Sequence, residues 1–157
     1  MMNDSGFMLE AIRLAGENII SGEGGPFGAI VVKDGKIVGI GRNKVTSSND
    51  PTAHAEVVAI RDACRNLNTY SLEGCVIYSS CEPCPMCLSA IYWSRISGLF
   101  YAATRLDAAD AGFDDAYLYE QISLDPESRS LPAKKLHREQ ALKVFNEWKI
   151  SPSKIPY

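Results

Sequence analysis

The strongest constraint on this chain is a pair of short segments that carry metal-binding chemistry and have to meet in space. The first, His54-Ala55-Glu56, supplies an imidazole and a carboxylate, and the second, running from Cys84 to Cys87, supplies two thiols. A structural zinc site takes four protein ligands, whereas a catalytic site takes three and leaves a position for water. The segments therefore predict one Zn²⁺ ion per subunit, held by His54, Cys84 and Cys87, with water or hydroxide as the fourth ligand.

The spacing of these residues also predicts where they lie on secondary structure. Cys84 and Cys87 are three positions apart, so they share one face of a helix, and the flanking prolines favour a helix start there. Free N–H groups and the positive dipole at such a start stabilise thiolates. Because positions i and i+2 of a regular helix do not face each other, Glu56 reaches the same ion only if His54 lies at the cap or in the first turn of its helix.

Glu56 is the predicted general base. Two thiolates neutralise much of the charge of zinc, so we expect its bound water to be less acidic than at a three-histidine site. A base beside the water is then needed to take its proton, so that hydroxide can attack an amidine-like carbon. The protons return to the ring nitrogen and to departing ammonia, which makes the predicted reaction a hydrolytic deamination.

Hydrophobic periodicity and turn residues predict alternating helices and strands. The predicted helices cover residues 5–20, 54–66, 84–94, 114–121 and 136–148, and the predicted strands cover residues 27–33, 36–41, 75–79 and 99–102. Asp34-Gly35, between the first two strands, is a strong hairpin signal. We expect one α/β domain over residues 1–157, a three-layer α/β/α sandwich around a mixed sheet of about five strands. Residues from about 133 to 157 would form its C-terminal helix and tail.

The cysteines and the hydropathy indicate where such a protein works. Three of the five cysteines fall between Cys81 and Cys87, which favours metal chemistry in a reducing compartment over disulfide bonds. No apolar run approaches the roughly 18 residues that cross a bilayer, and residues 1–5 do not begin a signal peptide. We therefore expect a cytoplasmic protein with no membrane partner.

Charge is distributed unevenly along the chain. Residues 1–132 carry 10 Lys and Arg against 17 Asp and Glu, whereas residues 133–157 carry 6 against 2. A basic tail can bind RNA, but Glu139 and Glu147 interrupt this one, and a solvated amphipathic helix explains the same pattern. Because the rest of the chain is acidic, nucleic acid is not favoured as a partner.

Three other interpretations of the cysteine and histidine pattern stay open. Cys81, Cys84 and Cys87 form a C-x-x-C-x-x-C string that also suits an iron–sulfur cluster, although no further cysteine follows. A structural zinc domain needs a fourth ligand, and His137 is the only other histidine. A nucleotide-binding module without catalytic activity is expected to lack the carboxylate at position 56, which this chain has.

The two segments together follow an H-x-E…P-C-x-x-C pattern that resembles the zinc site of nucleobase deaminases. Residues 80–87 are similar to the zinc block of the cytidine/deoxycytidylate deaminase superfamily, and residues 24–29, 48–57 and 111–115 resemble bacterial guanine deaminases of this small fold. The resemblance covers nearly the whole chain. It implies zinc-dependent hydrolysis of guanine to xanthine and ammonia by a homodimer that binds a small purine, often with exchanged C-terminal segments.

The same resemblance implies roles for five more residues. Asn43 would hydrogen-bond the purine, Phe27 and Trp93 would stack on it or wall it, Asp115 would contact its polar edge and help to move protons, and Tyr157 would cover the pocket. From the residues alone, simpler roles stay open for each. Phe27 and Trp93 could pack in the core, and Asn43 could be a turn residue. Asp115 could lie at a helix N-terminus, and Tyr157 could belong to a frayed chain end.

Related activities share parts of these motifs. Plant guanosine deaminases also carry a G-F-D-D string and a terminal tyrosine, which makes the nucleoside an alternative substrate. tRNA adenosine deaminases share the zinc block and the hairpin. Cytosine deaminases share the chemistry, although residues 112–115 suit them less well.

Overall fold

The sheet at the centre of the fold has four strands in the order β2-β1-β3-β4. In this computed structural model, which describes residues 2–157, the strands are β1 (Gly28–Lys33), β2 (Lys36–Arg42), β3 (Val76–Cys81) and β4 (Gly98–Ala103). β1 pairs antiparallel with β2 and with β3, whereas β3 and β4 run parallel. The predicted mixed sheet is confirmed, with one strand fewer than expected.

Seven α-helices accompany the described strands. They are α1 (Asp4–Ser21), α2 (Val45–Ser48), α3 (Ala55–Leu67), α4 (Pro85–Trp93), α5 (Arg105–Asp110), α6 (Asp115–Ser123) and α7 (Arg138–Ile150), and a short 3₁₀ helix covers Pro126–Ser128. α2 and α5 were not predicted, because helices of 4 and 6 residues are too short to show a 3.6-residue period. Thr104 and Asp107 form a capping box that starts α5 directly after β4, so no further strand follows there.

The predicted hairpin between β1 and β2 is confirmed. Asp34 and Gly35 both adopt left-handed backbone conformations, with φ of 49° and 73°. Positive φ at both central residues is the requirement of a type I′ turn, whose twist matches that of the flanking strands.

Helices cover both faces of the sheet, as the three-layer prediction requires. On one face, α1 packs through Phe7, Ala11 and Leu14 against Ile30 and Val32 of β1. The opposite face buries the alternate β1 residues and the apolar sides of α3 and α4; this core comprises Ala29, Val31, Ala55, Ala59, Ile60, Ala63, Leu72, Cys75, Ile77 and Ile91. The period of two along β1 thus separates two cores.

Glycines in β2 let α3 lie directly on the strand. A Cβ added at Gly41 would clash with the carbonyl oxygen of Ala55 and lie 2.5 Å from the nitrogen of Ala59. A Cβ added at Gly39 would meet the next turn, at 2.8 Å from the nitrogen of Ala63. Gly41 therefore fixes the distance of the first turn of α3 from the sheet, and Gly39 does the same for the following turn.

The chain divides into two compact units, one extending to Tyr119 and the other covering Glu120–Tyr157. In the second unit, Gln121 Oε1 accepts a hydrogen bond from the backbone N–H of Ser130 at 2.8 Å, and α7 is its 13-residue helix. That residues 1–157 act as one domain with an exchangeable tail stays a prediction. None of the helices within residues 2–157 has both the length and the apolar character that a membrane crossing requires.

Candidate active site

His54 lies at the N-terminus of α3, where it is the N-cap residue, and Glu56 follows in the first turn. The cap conformation, with φ −67° and ψ 154°, is extended, so His54 is rotated away from the helical face. This deviation from regular helical geometry allows two residues only two positions apart to face the same cavity. Gly41 determines how close this first turn comes to the sheet.

The two thiols lie at the start of α4. Cys84 is the N-cap, Pro85 occupies the first helical position, and Cys87 lies in the first turn. Proline is favoured at this position because its missing N–H needs no helical partner. His54 Nδ1 is 3.6 Å from the Sγ of Cys84 and 3.5 Å from the Sγ of Cys87.

His54, Cys84 and Cys87 form a group whose potential ligand atoms all lie within 4.8 Å of one another. Within residues 2–157 this group contains no fourth histidine, cysteine or carboxylate. A nitrogen and two sulfurs converging from two helix starts is a donor set that suits Zn²⁺, and three ligands leave a fourth position open. The site therefore has the ligand count of a catalytic zinc centre rather than a structural one.

The thiols of this group differ in their proton affinity. Cys84 accepts a hydrogen bond from Cys87 and interacts with His54, and both interactions lower the pKa of Cys84, to about 4. Donating that bond raises the pKa of Cys87, and the bond to Cys84 raises the pKa of His54. Of the two thiols, Cys84 therefore loses its proton more readily than Cys87.

Glu56 is buried between α3 and β3, with 6% of its surface exposed. Desolvation by burial raises the pKa of its carboxyl. The Oγ of Ser79 donates a hydrogen bond of 3.0 Å to Glu56 Oε1. Sequence reasoning missed Ser79, whose only signal is a hydroxyl in a short buried strand.

A cavity of about 230 Å³ opens beside these groups; its lining includes His54, Glu56, Cys84, Phe27, Asn43, Phe113 and Asp115. Phe27 and Phe113 meet edge to face, with ring centroids 4.7 Å apart. Phe113 belongs to segment 111–115, which resembles guanine deaminases, but the sequence alone predicts no role for it. Burial raises the pKa of Asp115, which begins α6, whereas its neighbour Asp114 is exposed.

Asn43 is held in one orientation by the backbone around it. Its Oδ1 accepts hydrogen bonds from the N–H groups of Gly25 at 3.3 Å and Val45 at 3.1 Å. Its carbonyl oxygen accepts a bond of 2.7 Å from Nδ2 of Asn18, a fully buried side chain that also donates to the carbonyl of Gly25. With its oxygen engaged, Asn43 offers its amide N–H groups as donors to the cavity it lines.

Trp93, which has a predicted role, is not among the residues that line this cavity. Trp93 is at the end of α4, 62% exposed, and lines a shallow groove with residues of α3 and α4 such as Ile60 and Ala90. The C-terminal end of α4 lies about two turns beyond Cys87, and the role of Trp93 at the purine stays a prediction. Tyr157 is exposed in the second unit, and its role as a cover stays a prediction.

Comparison with known proteins places this geometry in a family. Residues 1–103 match the cytidine and deoxycytidylate deaminase zinc-binding region. The chain is 51% identical to the guanine deaminase of Bacillus subtilis over 156 residues, which are 99% of this chain and 100% of that protein. The X-ray structure of the B. subtilis guanine deaminase is similar with a TM-score of 0.96, over 99% of each chain.

Two further relatives are less similar. The tRNA-specific adenosine deaminase of Aquifex aeolicus is 47% identical over 97 residues, which are 62% of this chain and 64% of that protein. The structure of the guanine deaminase from Nitrosomonas europaea is 30% identical with a TM-score of 0.70, and the match covers 82% of this chain and 70% of that one. The similarity to the tRNA enzyme thus stops well short of the full chain.

Proposed function

This chain belongs to the cytidine and deoxycytidylate deaminase family, and on that basis we propose that it hydrolyses guanine to xanthine and ammonia, with zinc as its cofactor. The observation that carries the proposal is the convergence of His54, Cys84 and Cys87 beside the buried carboxyl of Glu56. The full-length similarity to a guanine deaminase supports guanine as the substrate rather than adenosine in RNA.

His54, Cys84 and Cys87 would hold one zinc ion per chain. His54 would bind through Nδ1, the ring nitrogen that faces both sulfurs. When bound, zinc supplies an activated water at its open fourth position. The helix starts at Cys84 and His54 stabilise the ligand charges, because free N–H groups lie in the first turn of each helix.

Glu56 would carry the protons of the reaction. As a carboxylate it accepts a proton from the attacking water and passes it to the purine ring nitrogen. It then takes the proton of the hydroxyl group added to the purine carbon and passes it to the amino group, which leaves as ammonia. Burial raises the pKa of Glu56, which brings its two protonation states closer in energy near neutral pH. One side chain then serves as base and as acid in turn.

The lining of the cavity supports binding of a purine base. Phe27 and Phe113 supply apolar faces, and Asn43 presents amide donors that suit an acceptor on the purine edge. Asp115 supplies a carboxyl on the same cavity, which suits ring N–H groups and would help to move protons. We assign Phe27, Asn43 and Asp115 to substrate binding on these grounds.

A homodimer is the proposed assembly. Tyr70, Tyr92 and Trp93 expose 61%, 72% and 62% of their surface near the groove between α3 and α4. Large aromatic side chains clustered on a surface favour an interface. Trp93 would then reach a purine pocket from a partner subunit, and Tyr157 would cover a pocket of its own or of a partner.

The cytoplasm is the proposed compartment. All five cysteines are free thiols, as suits a reducing environment. Nucleic acid is not a proposed partner, because residues 1–132 carry a net charge of −7.

A comparison of substrates tests the proposed reaction. Zinc-loaded protein is incubated separately with guanine, guanosine, cytosine, adenine and a tRNA anticodon stem-loop that contains adenosine, and ammonia is measured together with each product. We expect xanthine from guanine and no product from the others. Xanthosine from guanosine alone would replace the base by the nucleoside as substrate, and inosine in the stem-loop would assign the protein to tRNA. Protein that binds zinc but acts on none of the five would contradict the proposed function.

A further inference from the structure

Ser79 occupies a position where the fold otherwise places apolar side chains. It is 2% exposed, lies opposite Ala29 in the register of β1 and β3, and shares its sheet face with Ile77, a residue of the core under α3. A hydroxyl buried without a hydrogen-bond partner destabilises a protein, because it loses its bonds to water. A serine at this position therefore needs an acceptor, and the acceptor is Glu56.

The hydrogen bond from Ser79 determines which oxygen of Glu56 is available for chemistry. Ser79 Oγ donates to Oε1 at 3.0 Å, which restricts rotation of the carboxyl group. Glu56 lines the cavity and Ser79 does not, so Oε2 is the oxygen left for water and substrate. Ser79 can influence the reaction only through Glu56.

We propose that Ser79 is a positioning residue for the deamination, which holds Glu56 Oε1 so that Oε2 alone exchanges protons with water, the purine ring nitrogen and ammonia. This inference rests on the proposed function and adds to it a residue outside the cavity. The role of Ser79 is to fix the orientation of the Glu56 carboxylate, because proton transfer requires the donor and the acceptor to lie within hydrogen-bond distance.

Steady-state kinetics of two variants tests the role of the hydroxyl. Ser79→Ala removes it, and we expect kcat for guanine to fall by about tenfold or more, part of the 10²–10⁴-fold contribution of a positioned acid–base group. KM should stay within about twofold, because substrate contacts are unchanged. Ser79→Thr keeps a hydroxyl on the same carbon and should restore kcat to within about threefold of wild type. Zinc content should be equal in all three proteins.

Ser94→Ala is the matched control, because Ser94 is also buried, at 5% exposure, and its hydroxyl donates only to the carbonyl of Ile91. Unchanged kcat in Ser79→Ala, an equal loss in Ser79→Thr, or a loss of zinc would each overturn the proposal. Crystal structures of zinc-loaded wild type and Ser79→Ala give a readout that does not depend on turnover. We expect the Glu56 carboxyl to rotate in the variant, and an unchanged orientation would overturn the proposal even if wild type failed to deaminate guanine. That failure would by itself reject only the proposed function.

Discussion

At the scale of single residues, the proposed chemistry depends most on Glu56. Glutamine has the same size and keeps an oxygen for the hydroxyl of Ser79, but it cannot accept a proton from water. We expect Glu56→Gln to bind as much zinc as wild type and to lose at least about 10³-fold in kcat for guanine. Metal analysis and a xanthine assay measure both quantities. Glu73→Gln, at an exposed glutamate, is the control, and an active Glu56→Gln variant would remove Glu56 from the mechanism.

The difference in pKa between the thiols of Cys84 and Cys87 leads to a second prediction at this scale. Because the pKa of Cys84 is lowered to about 4 and the pKa of Cys87 is raised, we expect Cys84 to be a thiolate and Cys87 a thiol at neutral pH. Binding of zinc should therefore release at least one proton, from Cys87, and the raised pKa of His54 adds to the release as pH falls. Affinity for zinc should rise with pH over the range in which these protons are bound.

Calorimetric titration of the metal-free protein with zinc, in buffers of different ionisation enthalpy, counts the released protons. Cys64→Ala is the control, since Cys64 is half-buried on α3 and lies outside the ligand group. Cys87→Ser should lose both the proton release and most of the affinity. Zinc binding without proton release at pH 7 would contradict the assigned state of Cys87.

The residues that sequence could identify are those whose spacing has chemical meaning by itself. His54, Glu56, Cys84 and Cys87 belong to that class, because ligand spacing reports on local helix geometry. Ser79 does not, since its role depends on how β3 lies against α3, which no local pattern encodes. Asn18 is a similar case, because it is a polar residue on the apolar stripe of α1. Its hydrogen-bond partners, Gly25 and Asn43, are identified only from the folded structure.

At the scale of elements, the contact between α3 and β2 determines the geometry of the site. Gly41→Ala would place a methyl group against the carbonyl of Ala55, so α3 has to move away from the sheet. We expect a loss of about 3 kcal/mol in the free energy of unfolding, the upper part of the range for overpacking. Zinc affinity should also fall, because His54 moves with the helix. Thermal denaturation and zinc titration provide the two measurements.

Gly16→Ala is the control for this substitution. Gly16 lies within α1, and a Cβ there would meet nothing within 4 Å. Alanine is the better helix former, so this variant should be at least as stable as wild type, by up to about 1 kcal/mol. Equal behaviour of the two alanine variants would mean that α3 does not depend on Gly41.

The hydrogen bond that joins α1 to the sheet leads to a prediction about protein stability at alkaline pH. The hydroxyl of Tyr78 donates a hydrogen bond of 2.6 Å to Asp4, and burial, with this bond, raises the pKa of Tyr78 to about 12. Its unfolded value is about 10, so the stabilisation is complete below pH 10 and is lost as pH rises from 10 to 12. Tyr78→Phe should cost about 1 kcal/mol at pH 7 and show a flatter loss of stability above pH 10. Denaturant unfolding at pH 7, 9, 10 and 11 measures this, and parallel pH curves would exclude Tyr78 as the source.

At the scale of the whole molecule, the three-layer architecture could be predicted because its evidence is local and repeated. The apolar run of β1, the Asp34-Gly35 turn and the apolar stripe of α1 each encode one part of it. The number of strands could not be predicted, because the capping box at Thr104 competes with strand formation after β4. The place of Trp93 also depends on more than local pattern, since an apolar helix end packs equally well in a core or at an interface.

An assembly prediction follows from that exposed end of α4. If Tyr92 and Trp93 lie in a dimer interface, a charge at position 93 has to be desolvated on association, which is unfavourable when it is unpaired. We expect wild type to sediment as a dimer and Trp93→Asp to shift to monomer at micromolar concentration. Ile20→Asp is the matched control, because Ile20 is 89% exposed at the end of α1, and it should stay dimeric. A folded Trp93→Asp variant that remained a dimer would place the interface elsewhere. A monomeric variant with normal kcat and KM for guanine would show that Trp93 does not act on a partner's pocket.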